Sequence, residues 1–276
     1  MPDNQHVFDR YLRQDKLPHI WCPGCGNGIV INALVHAIAR TDVDPDTIVV
    51  VSGIGCSSRA NGYTNFCALH TNHGRALPYA TGVKMFNPKL KVIVVTGDGD
   101  CTSIGGNHFI HACRRNIDLT TIVFNNSNYG MTGGQFSPTT PSGSRTKTSV
   151  YGNIDTPFDI CSLAEAAGAT YVARSTVYHV NLLIRELAEA IEHPGFSVVE
   201  AVCDCPTLFG RLNKMGSGAD MLLSYKEKAV VKQQAEKMDA AALKDKLIIG
   251  TFVERTDREE YTKQYASLIK RAKGGN

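Results

Sequence analysis

Four short apolar runs, rich in β-branched residues, alternate along the chain with stretches of helical spacing. The runs cover residues 47–51, 91–95, 119–124 and 196–202, and the helical stretches cover residues 28–40, 104–114, 160–167 and 180–193. Strands that are apolar at nearly every position are buried on both faces, which is typical of a parallel sheet. The alternation therefore predicts an α/β fold in which a parallel sheet carries helices on both faces.

The composition supports one large core and excludes several classes of protein. Of the 276 residues, 43% are hydrophobic and 20% are charged, as in globular proteins. A net charge of +3 is too small to indicate a nucleic-acid partner. No run approaches the roughly 20 apolar residues that cross a bilayer, and the polar N-terminus lacks the apolar core of a signal peptide. We expect a cytoplasmic protein without membrane contact.

Two segments depart from the alternating pattern. Residues 126–155 are rich in Gly, Ser, Thr and Pro, and loops of that length are usually functional or disordered. From about residue 210 the chain becomes polar and charged, with helical spacing over residues 224–238 and 257–274. We expect residues 210–276 to form a C-terminal extension appended to a main domain of residues 1–209.

A pair of cysteines lies near the N-terminus, where residues 21–26 read WCPGCG. Two thiols at this spacing can ligate a metal or close a redox disulfide. A cytosolic chain keeps its thiols reduced, so nine cysteines, an odd number, do not indicate a disulfide framework. A redox pair of this kind follows a strand, whereas polar sequence precedes this one. The residues alone leave zinc and an iron–sulfur cluster equally open.

Polar residues follow two of the predicted strands. One strand ends in Gly97-Asp98-Gly99, and the next ends in Asn125-Asn126. In an open parallel sheet, ligands bind beyond the carboxyl ends of strands. Glycine lets the backbone approach a bulky anion, and the next helix can present N–H groups to a phosphate. Since Asp98 and Asn126 carry the oxygen ligands that Mg²⁺ prefers, the pattern indicates a site for Mg²⁺ and phosphate.

The same residues also fit purely structural roles. Asp98 can cap the following helix, and Asn125-Asn126 can form a turn. Residues 53–59 and 97–103 also begin G-x-G, as dinucleotide sites do, but both segments lack the third glycine of that fingerprint.

The combined motifs resemble the β subunits of 2-oxoacid:ferredoxin oxidoreductases. GDG followed by Asn125-Asn126 is similar to the thiamin diphosphate motif, and NNSNYGMTGGQFSPTTP is similar to its form in this family. The resemblance includes WCPGCG, GIGCSSR, HTNHGRALPYATGVK and CDCPTLFG and covers residues 15–211. It implies the thiamin diphosphate-binding fold for residues 1–209. The motif sequences resemble those of 2-oxoglutarate members more than those of pyruvate members.

The resemblance also implies which residues hold thiamin diphosphate. Mg²⁺ is expected on Asp98, Asn126 and the backbone carbonyl of Asn128. The residues expected around the cofactor are Gly55, Cys56, Ser58, His73, Gly97, Asp98, Gly99, Asn126, Asn128, Gly130, Met131 and Thr132. Within that set, Met131 is expected to prop the bent cofactor, and His73 is expected to bond its diphosphate.

One [4Fe–4S] cluster is implied on Cys22, Cys25, Cys56 and a late cysteine. Cys203 and Cys205 both qualify as the late ligand, and Cys205 is preferred because a Pro-Thr pair follows it, as in the family. The other cysteines, Cys67, Cys101, Cys113 and Cys161, are expected to be small core residues.

The implied reaction is the oxidative decarboxylation of 2-oxoglutarate with coenzyme A to succinyl-CoA, CO₂ and reduced ferredoxin. Thiamin enzymes need a glutamate against the aminopyrimidine, and in this family it comes from the α subunit. We therefore expect activity only with an α subunit, in an (αβ)₂ assembly. Arg59, His73 and Met131 are expected at the reacting centre. Arg59 can pair with the distal carboxylate of 2-oxoglutarate, or it can order its own loop or contact the substrate's other carboxylate.

Three alternatives stay open at this point. The substrate can be pyruvate or another 2-oxoacid. The chain can belong to a non-redox thiamin enzyme with zinc in the four-cysteine site. It can also be a zinc-binding partner subunit in which the GDG and Asn-Asn motifs are only turns.

Overall fold

A computed structural model describes residues 4–274, and its centre is one eight-stranded sheet. In chain order the strands are β1 Ile48–Ser52, β2 Cys67–His70, β3 Lys91–Gly97, β4 Leu119–Asn125, β5 Tyr171–Thr176, β6 Phe196–Val202, β7 Ala229–Val231 and β8 Leu247–Glu254. The helices are α1 Asn4–Tyr11, α2 Asn27–Ile38, α3 Ala76–Phe86, α4 Gly106–Arg115, α5 Ile160–Ala166, α6 Val180–Glu192, α7 Gly218–Lys228, α8 Lys232–Ala235, α9 Ala240–Leu243 and α10 Tyr261–Ala272. Within these residues, no helix combines the length and the apolar character that crossing a bilayer requires.

The strands lie in the order β2-β1-β3-β4-β6-β5-β8-β7, and all neighbours run parallel except β5 and β8. The predicted α/β fold is confirmed, and the sheet, predicted to be parallel, is parallel apart from this one pair. The four apolar runs form β1, β3, β4 and β6, and the predicted helices correspond to α2, α4, α5 and α6. The alternating pattern did not reveal β2, β5, β7, β8 or α3.

The central strands are buried on both faces because helices cover the sheet on either side. In β3, Ile93 and Val95 belong to the buried cluster that contains α2 and α6. Val92 and Val94 belong to the opposite cluster, which contains α3, α4 and α5. All four side chains are fully buried, and each contributes about 1.5–3 kcal/mol relative to an exposed position. This two-sided burial explains why the run is apolar at almost every position.

The C-terminal residues 210–276 add two strands to one edge of the main sheet. β8 pairs antiparallel with β5, and β7 pairs parallel with β8. The expected helix over residues 224–238 is wrong at Ala229–Val231, where an Ala-Val-Val run forms β7 between α7 and α8. β-branched side chains pack well on a pleated surface, and the neighbouring β8 supplies the backbone partners. The boundary at residue 210 stays a prediction.

The parallel register places several predicted site residues at one edge of the sheet. Gly97 at the end of β3 pairs with Phe124 of β4, and Asn125 at the end of β4 pairs with Val202 of β6. β1 ends at the same edge. The chain leaves β1 for the outer strand β2 and returns to β3 on the other side of β1. A topological switch point therefore lies between β1 and β3, where α/β sheets bind their ligands.

The carboxyl group of Glu186 on α6 is buried without a hydrogen-bond partner among the described residues. Burial raises the pKa of Glu186 to about 8, although the positive charge of Arg185 lowers it. The group is therefore largely neutral at neutral pH in the folded chain, because ionisation there would leave a desolvated charge.

We expect Glu186 to make the folded protein less stable as the pH rises. The unfolded chain releases this proton near pH 4.5, whereas the folded chain retains it to about pH 8. Below this pH range the free energy of unfolding has its full value. Between the two pKa values it falls by up to about 1.4 kcal/mol per pH unit as the pH rises. Glu186→Gln should remove this slope in denaturant titrations at several pH values. The exposed control Glu165→Gln should keep it, and the idea fails if both variants follow the wild type.

Candidate active site

A cleft, termed the central cleft, opens at the carboxyl ends of β1, β3 and β4. Its walls come from the loop after β1, the loop before α3, the turn after β3 and the long loop after β4. The predicted cofactor residues that line it are Gly55, Cys56, His73, Gly97, Asp98, Gly99, Asn126, Asn128, Gly130, Met131 and Thr132. Ser58 lies instead beside a neighbouring cavity. Residues that are far apart in the sequence thus meet at the switch point of the sheet.

Asp98 provides a buried carboxylate in the central cleft. It directly follows β3, and its side chain is 2% exposed. Ser137 and Thr139 of the long loop donate to Asp98 Oδ2 at 2.5 and 2.6 Å. Burial raises the pKa of Asp98 to about 6, while the two hydroxyl groups lower it. A carboxylate in such a place is stabilised by a cation as well as by donors, which fits the predicted role of Asp98.

A chain of buried polar side chains supports Asp98 from inside the protein. Thr139 Oγ1 lies 3.0 Å from Asn125 Oδ1, and Asn125 Nδ2 donates to Glu200 Oε1 at 2.6 Å. Glu200 Oε2 accepts from Arg174 Nε at 2.7 Å. All five side chains are buried. Thr139 has one hydroxyl proton, which its contacts with Asp98 and Asn125 share. Because buried polar groups that are bonded resist displacement, the bonded side chains of β4, β5 and β6 help to hold Asp98 through Thr139.

Other atoms at the central cleft are arranged for a polar ligand. The Asn128 side chain is buried, and neither its Oδ1 nor its Nδ2 has a partner among the described residues. Gly97 and Gly130 leave bare backbone, since a Cβ at Gly97 would lie 3.3 Å from Ser57 Oγ and one at Gly130 would lie 3.3 Å from Cys56 Sγ. A buried amide without partners costs about 1–3 kcal/mol. A ligand that brings oxygen atoms and a cation fits this donor set.

Asp100, which the sequence motifs did not single out, joins three parts of the cleft. Its buried carboxylate contacts His73 Nδ1 and accepts from the Gly74 N–H at 2.7 Å. Thr96 Oγ1 donates to it at 2.8 Å, and the Ile54 N–H donates at 3.4 Å. The signal for this residue was the second aspartate of GDGD. It begins a π-helical turn, a feature that is frequent at functional sites.

Tyr129, also missed, forms one wall of the cleft by packing on Gly99. Its hydroxyl donates to the Gly99 carbonyl at 3.1 Å, and its ring lies edge-on to His73 with centroids 5.9 Å apart. A Cβ at Gly99 would lie 2.4 Å from two ring atoms of Tyr129. The sequence motif predicts a glycine here because an anion approaches the backbone. The structure shows a second reason, since any larger residue would overlap the Tyr129 ring.

The predicted cluster ligands, Cys22, Cys25, Cys56 and Cys205, line one cavity, which is termed the thiol cavity. Cys203 is buried in the core behind the loop that carries Cys25, with its Sγ donating to Asn27 Oδ1 at 3.5 Å. Of the two candidates for the late ligand, Cys205 is the one that lines the cavity shared by the other three thiols. No group of three or more His, Cys, Asp or Glu side chains within residues 4–274 is arranged to hold a metal ion.

Burial disfavours the ionised form of the thiols in this cavity. It raises the pKa of Cys25 to about 12 and the pKa of Cys56 to about 11. The charge of Cys205 raises both values further, whereas the charge of Arg59 lowers that of Cys56. Because metals bind the thiolate, a metal that binds in this cavity has to displace these protons.

The remaining cysteines are mostly buried, as expected. Cys101, Cys113 and Cys161 lie in the core. The expectation is wrong for Cys67, which is exposed. Cys67 begins β2, the edge strand of the sheet, and exposed positions dominate that strand.

Three cavities share walls at the site. Cys56 and Gly130 line both the central cleft and the thiol cavity. Met131, 47% exposed, lines both of these and also a third cavity that contains Ser58 and Arg59. The sites predicted separately for thiamin diphosphate, for the cysteine ligands and for the substrate's carboxylate are therefore adjacent in space.

The chain is similar in sequence to thiamin diphosphate enzymes and to subunits of 2-oxoglutarate synthases. The family model for the thiamine pyrophosphate enzyme, C-terminal TPP binding domain, matches residues 53–201. The 2-oxoglutarate synthase subunit KorB of Methanocaldococcus jannaschii is 48% identical over 97% of this chain and 99% of its own. The subunit of the same name from Methanothermobacter marburgensis is 50% identical over 98% of this chain and 94% of its own.

A solved structure is similar over most of its length. It is the 2-oxoglutarate:ferredoxin oxidoreductase from Magnetococcus marinus with 2-oxoglutarate, coenzyme A and succinyl-CoA bound. The chain compared is 32% identical, with a TM-score of 0.85 over 98% of this chain and 91% of that chain.

The contact between Gly99 and Tyr129 predicts how Gly99→Ala behaves. The new methyl group would overlap the tyrosine ring, so Tyr129 must leave its position beside His73, at a cost of about 1–3 kcal/mol. The matched control is Gly106→Ala at the start of α4, where a Cβ would meet nothing within 4 Å. The control should be neutral or stabilising by up to about 1 kcal/mol. Thermal unfolding checks both variants, and equal unfolding midpoints would contradict the packing argument.

Proposed function

This chain belongs to the family of 2-oxoglutarate synthase subunits named KorB, and we propose that it is the β subunit of a thiamin diphosphate-dependent 2-oxoglutarate:ferredoxin oxidoreductase. The complete enzyme carries out the oxidative decarboxylation of 2-oxoglutarate with coenzyme A. The products are succinyl-CoA, CO₂ and reduced ferredoxin. We also propose a cytoplasmic location, since reducing conditions keep thiols available as ligands.

The observation that carries this proposal is the shared wall between the central cleft and the thiol cavity. Gly130 has no side chain, and Cys56 lies directly against it. A site for an anionic cofactor therefore adjoins a cavity with Cys22, Cys25, Cys56 and Cys205. A decarboxylase without electron transfer has no need of this adjacency, whereas an oxidoreductase must bring its redox group close to the reacting atoms.

Residues of the central cleft fit the cofactor that the family binds. Asp98 and Asn126, with the backbone carbonyl of Asn128, would hold Mg²⁺, which prefers oxygen ligands. Gly97 and Gly130 would allow the diphosphate to approach the backbone. Thiamin diphosphate, when bound, supplies the carbanion chemistry that removes CO₂ from a 2-oxoacid. Met131 lies at the junction of the three cavities, in a position to limit how the cofactor and substrate are oriented.

The thiol cavity would hold one [4Fe–4S] cluster. Its thiols come from the loop before α2, the loop after β1 and the loop after β6, and four thiolates are the usual ligand set of such a cluster. The Trp21 Nε1–H donates to the Cys56 carbonyl at 2.7 Å. This bond ties the first of these loops to the second and keeps their cysteines near each other before any ligand is bound.

We propose that an α subunit completes the site. Among the described residues, the lining of the central cleft contains no glutamate, and this family takes that residue from its α subunit. The long loop after β4 also presents exposed apolar side chains, namely Val150, Tyr151, Ile154 and Phe158. Such clusters usually mark interfaces. The expected assembly is (αβ)₂, and the chain alone is expected to be inactive.

Arg59 is proposed to contact the distal carboxylate of 2-oxoglutarate. It is exposed in the third cavity together with His70, Ser58 and Met131. The Ser58 hydroxyl is buried there without a partner among the described residues. A guanidinium in this cavity suits a carboxylate, which it can bind through two parallel N–H donors.

The first test uses the anaerobically purified complex of this chain with its α subunit. We expect about four irons per β chain and a broad visible band near 400 nm, which 2-oxoglutarate and coenzyme A should bleach. Cys205→Ser should lose iron and the band because the thiol cavity loses a ligand. The control Cys203→Ser, outside that cavity, should keep both. Zinc without a visible band, or loss of iron only in Cys203→Ser, would contradict the proposal, as would turnover by the chain alone.

A second test concerns substrate choice. Arg59→Met should lower kcat/KM for 2-oxoglutarate by about 10- to 100-fold, because a hydrogen bond between charged groups contributes about 1.5–3 kcal/mol. Turnover of pyruvate, which has no distal carboxylate, should change much less. The control Arg40→Met removes another exposed arginine, at the end of α2, and should leave both substrates unaffected. Equal losses for the two substrates in Arg59→Met would remove the proposed role.

A further inference from the structure

The Asp100 carboxylate is buried beside the central cleft and is closely packed against the loops that form it. Its side chain is 3% exposed, and a Cβ on Gly53 would lie 2.0 Å from Asp100 Oδ2. The carboxylate thus fills the space that any side chain at residue 53 would need. It joins the loop after β1, the loop before α3 and the end of β3 through bonds from Ile54, Gly74 and Thr96.

His73 is a further partner of Asp100, and it lines the central cleft. Its Nδ1 contacts Asp100 Oδ1, so Nδ1 carries a proton, and Nε2 is the ring nitrogen left for a bound molecule. Tyr129 lies edge-on to the same ring at an interplanar angle of 76°. The adjacent Gly74 has a φ of +70°, and a Cβ there would overlap Ile104. The ring and its backbone are therefore constrained from several sides.

We propose that Asp100 is a positioning residue, which fixes the tautomer and orientation of His73 so that Nε2 faces the diphosphate bound in the central cleft. The inference rests on the proposed function, because it assumes that an anionic cofactor occupies this cleft. A carboxylate on one ring nitrogen determines which face and which nitrogen the imidazole offers on the other side. Without Asp100, the ring could rotate and exchange tautomers, and the Ile54 and Gly74 N–H groups would lose their acceptor.

The test is a double-mutant cycle in the complete αβ enzyme. We expect Asp100→Ala and His73→Ala each to raise the dissociation constant for thiamin diphosphate by about 10- to 100-fold, the range for partners that orient a ligating group. Binding is followed on the cofactor-free complex, independently of turnover. The double variant should bind no more weakly than His73→Ala, since Asp100 acts through His73. Asp100→Asn should restore most of the affinity, because an amide oxygen can accept from the His73 Nδ1–H and the Gly74 N–H.

Control variants separate positioning from general stability. Asp118 forms an ion pair with Lys84 at 2.5 Å and accepts from the Gly195 N–H at 3.1 Å, at the opposite end of the strands. Asp118→Ala should lower the unfolding temperature without changing the dissociation constant. If Asp100→Ala does not fold, Asp100→Ser replaces it in the cycle, because its shorter side chain can accept locally but loses the contact to His73.

Specific outcomes overturn the inference. If the fold-increases in the dissociation constant from the two single variants multiply in the double variant, Asp100 acts independently of His73. Wild-type affinity in either single variant would also overturn it. These outcomes leave the proposed function intact if the wild-type complex binds thiamin diphosphate and converts 2-oxoglutarate. A wild-type complex that binds no thiamin diphosphate contradicts the proposed function itself.

Discussion

The site depends on the parallel alignment of β1, β3, β4 and β6, because this alignment brings their carboxyl ends to the same edge of the sheet. Hydrogen-bond register fixes the alignment, for example by pairing Gly97 with Phe124 and Asn125 with Val202. A slip of one residue would move Gly97 and Asn125 out of alignment with their neighbours and separate the polar groups that follow the strands. Close packing of the apolar clusters on both faces opposes such a slip. The same side chains that stabilise the fold therefore also determine where the polar groups meet.

A buried polar chain extends this alignment into the site. Arg174, Glu200 and Asn125 lie on β5, β6 and β4, and Thr139 links them to Asp98. Placing an arginine and carboxylates in a core is costly unless each is bonded, and here every link of the chain is short. Removing one member would take a hydrogen bond from each of its neighbours, although Arg174 also pairs with Asp159 and Asp98 also accepts from Ser137. The chain thus makes the position of Asp98 depend on three strands, although Asp98 itself only follows β3.

Features that depend on neighbouring residues in the chain could be predicted from the sequence, whereas contacts between distant segments could not. β3 and β4 can be recognised in the sequence because most of their residues are apolar or β-branched, and GDGD at the end of β3 marks Asp98 locally. β2 could not be predicted from the sequence, because Cys67 and most of its other residues are exposed at the edge of the sheet. Ser137 and Thr139 are hydroxyl residues in a loop rich in them, and only the folded chain shows that these two meet Asp98. The roles of Gly53 and Gly99 likewise depend on side chains, those of Asp100 and Tyr129, that arrive from elsewhere.

The thiol cavity uses the same edge of the sheet as the central cleft. Cys56 follows β1 and Cys205 follows β6, so the alignment that builds the cleft already brings two thiols toward it. Only Cys22 and Cys25 must come from another segment, and the loop before α2 supplies them. Gly26, next to that pair, has no room for a Cβ, which would lie 2.7 Å from Cys203 Cβ. Close packing of this loop on the end of β6 therefore requires glycine at residue 26, and it places the thiol cavity against the cleft through Cys56.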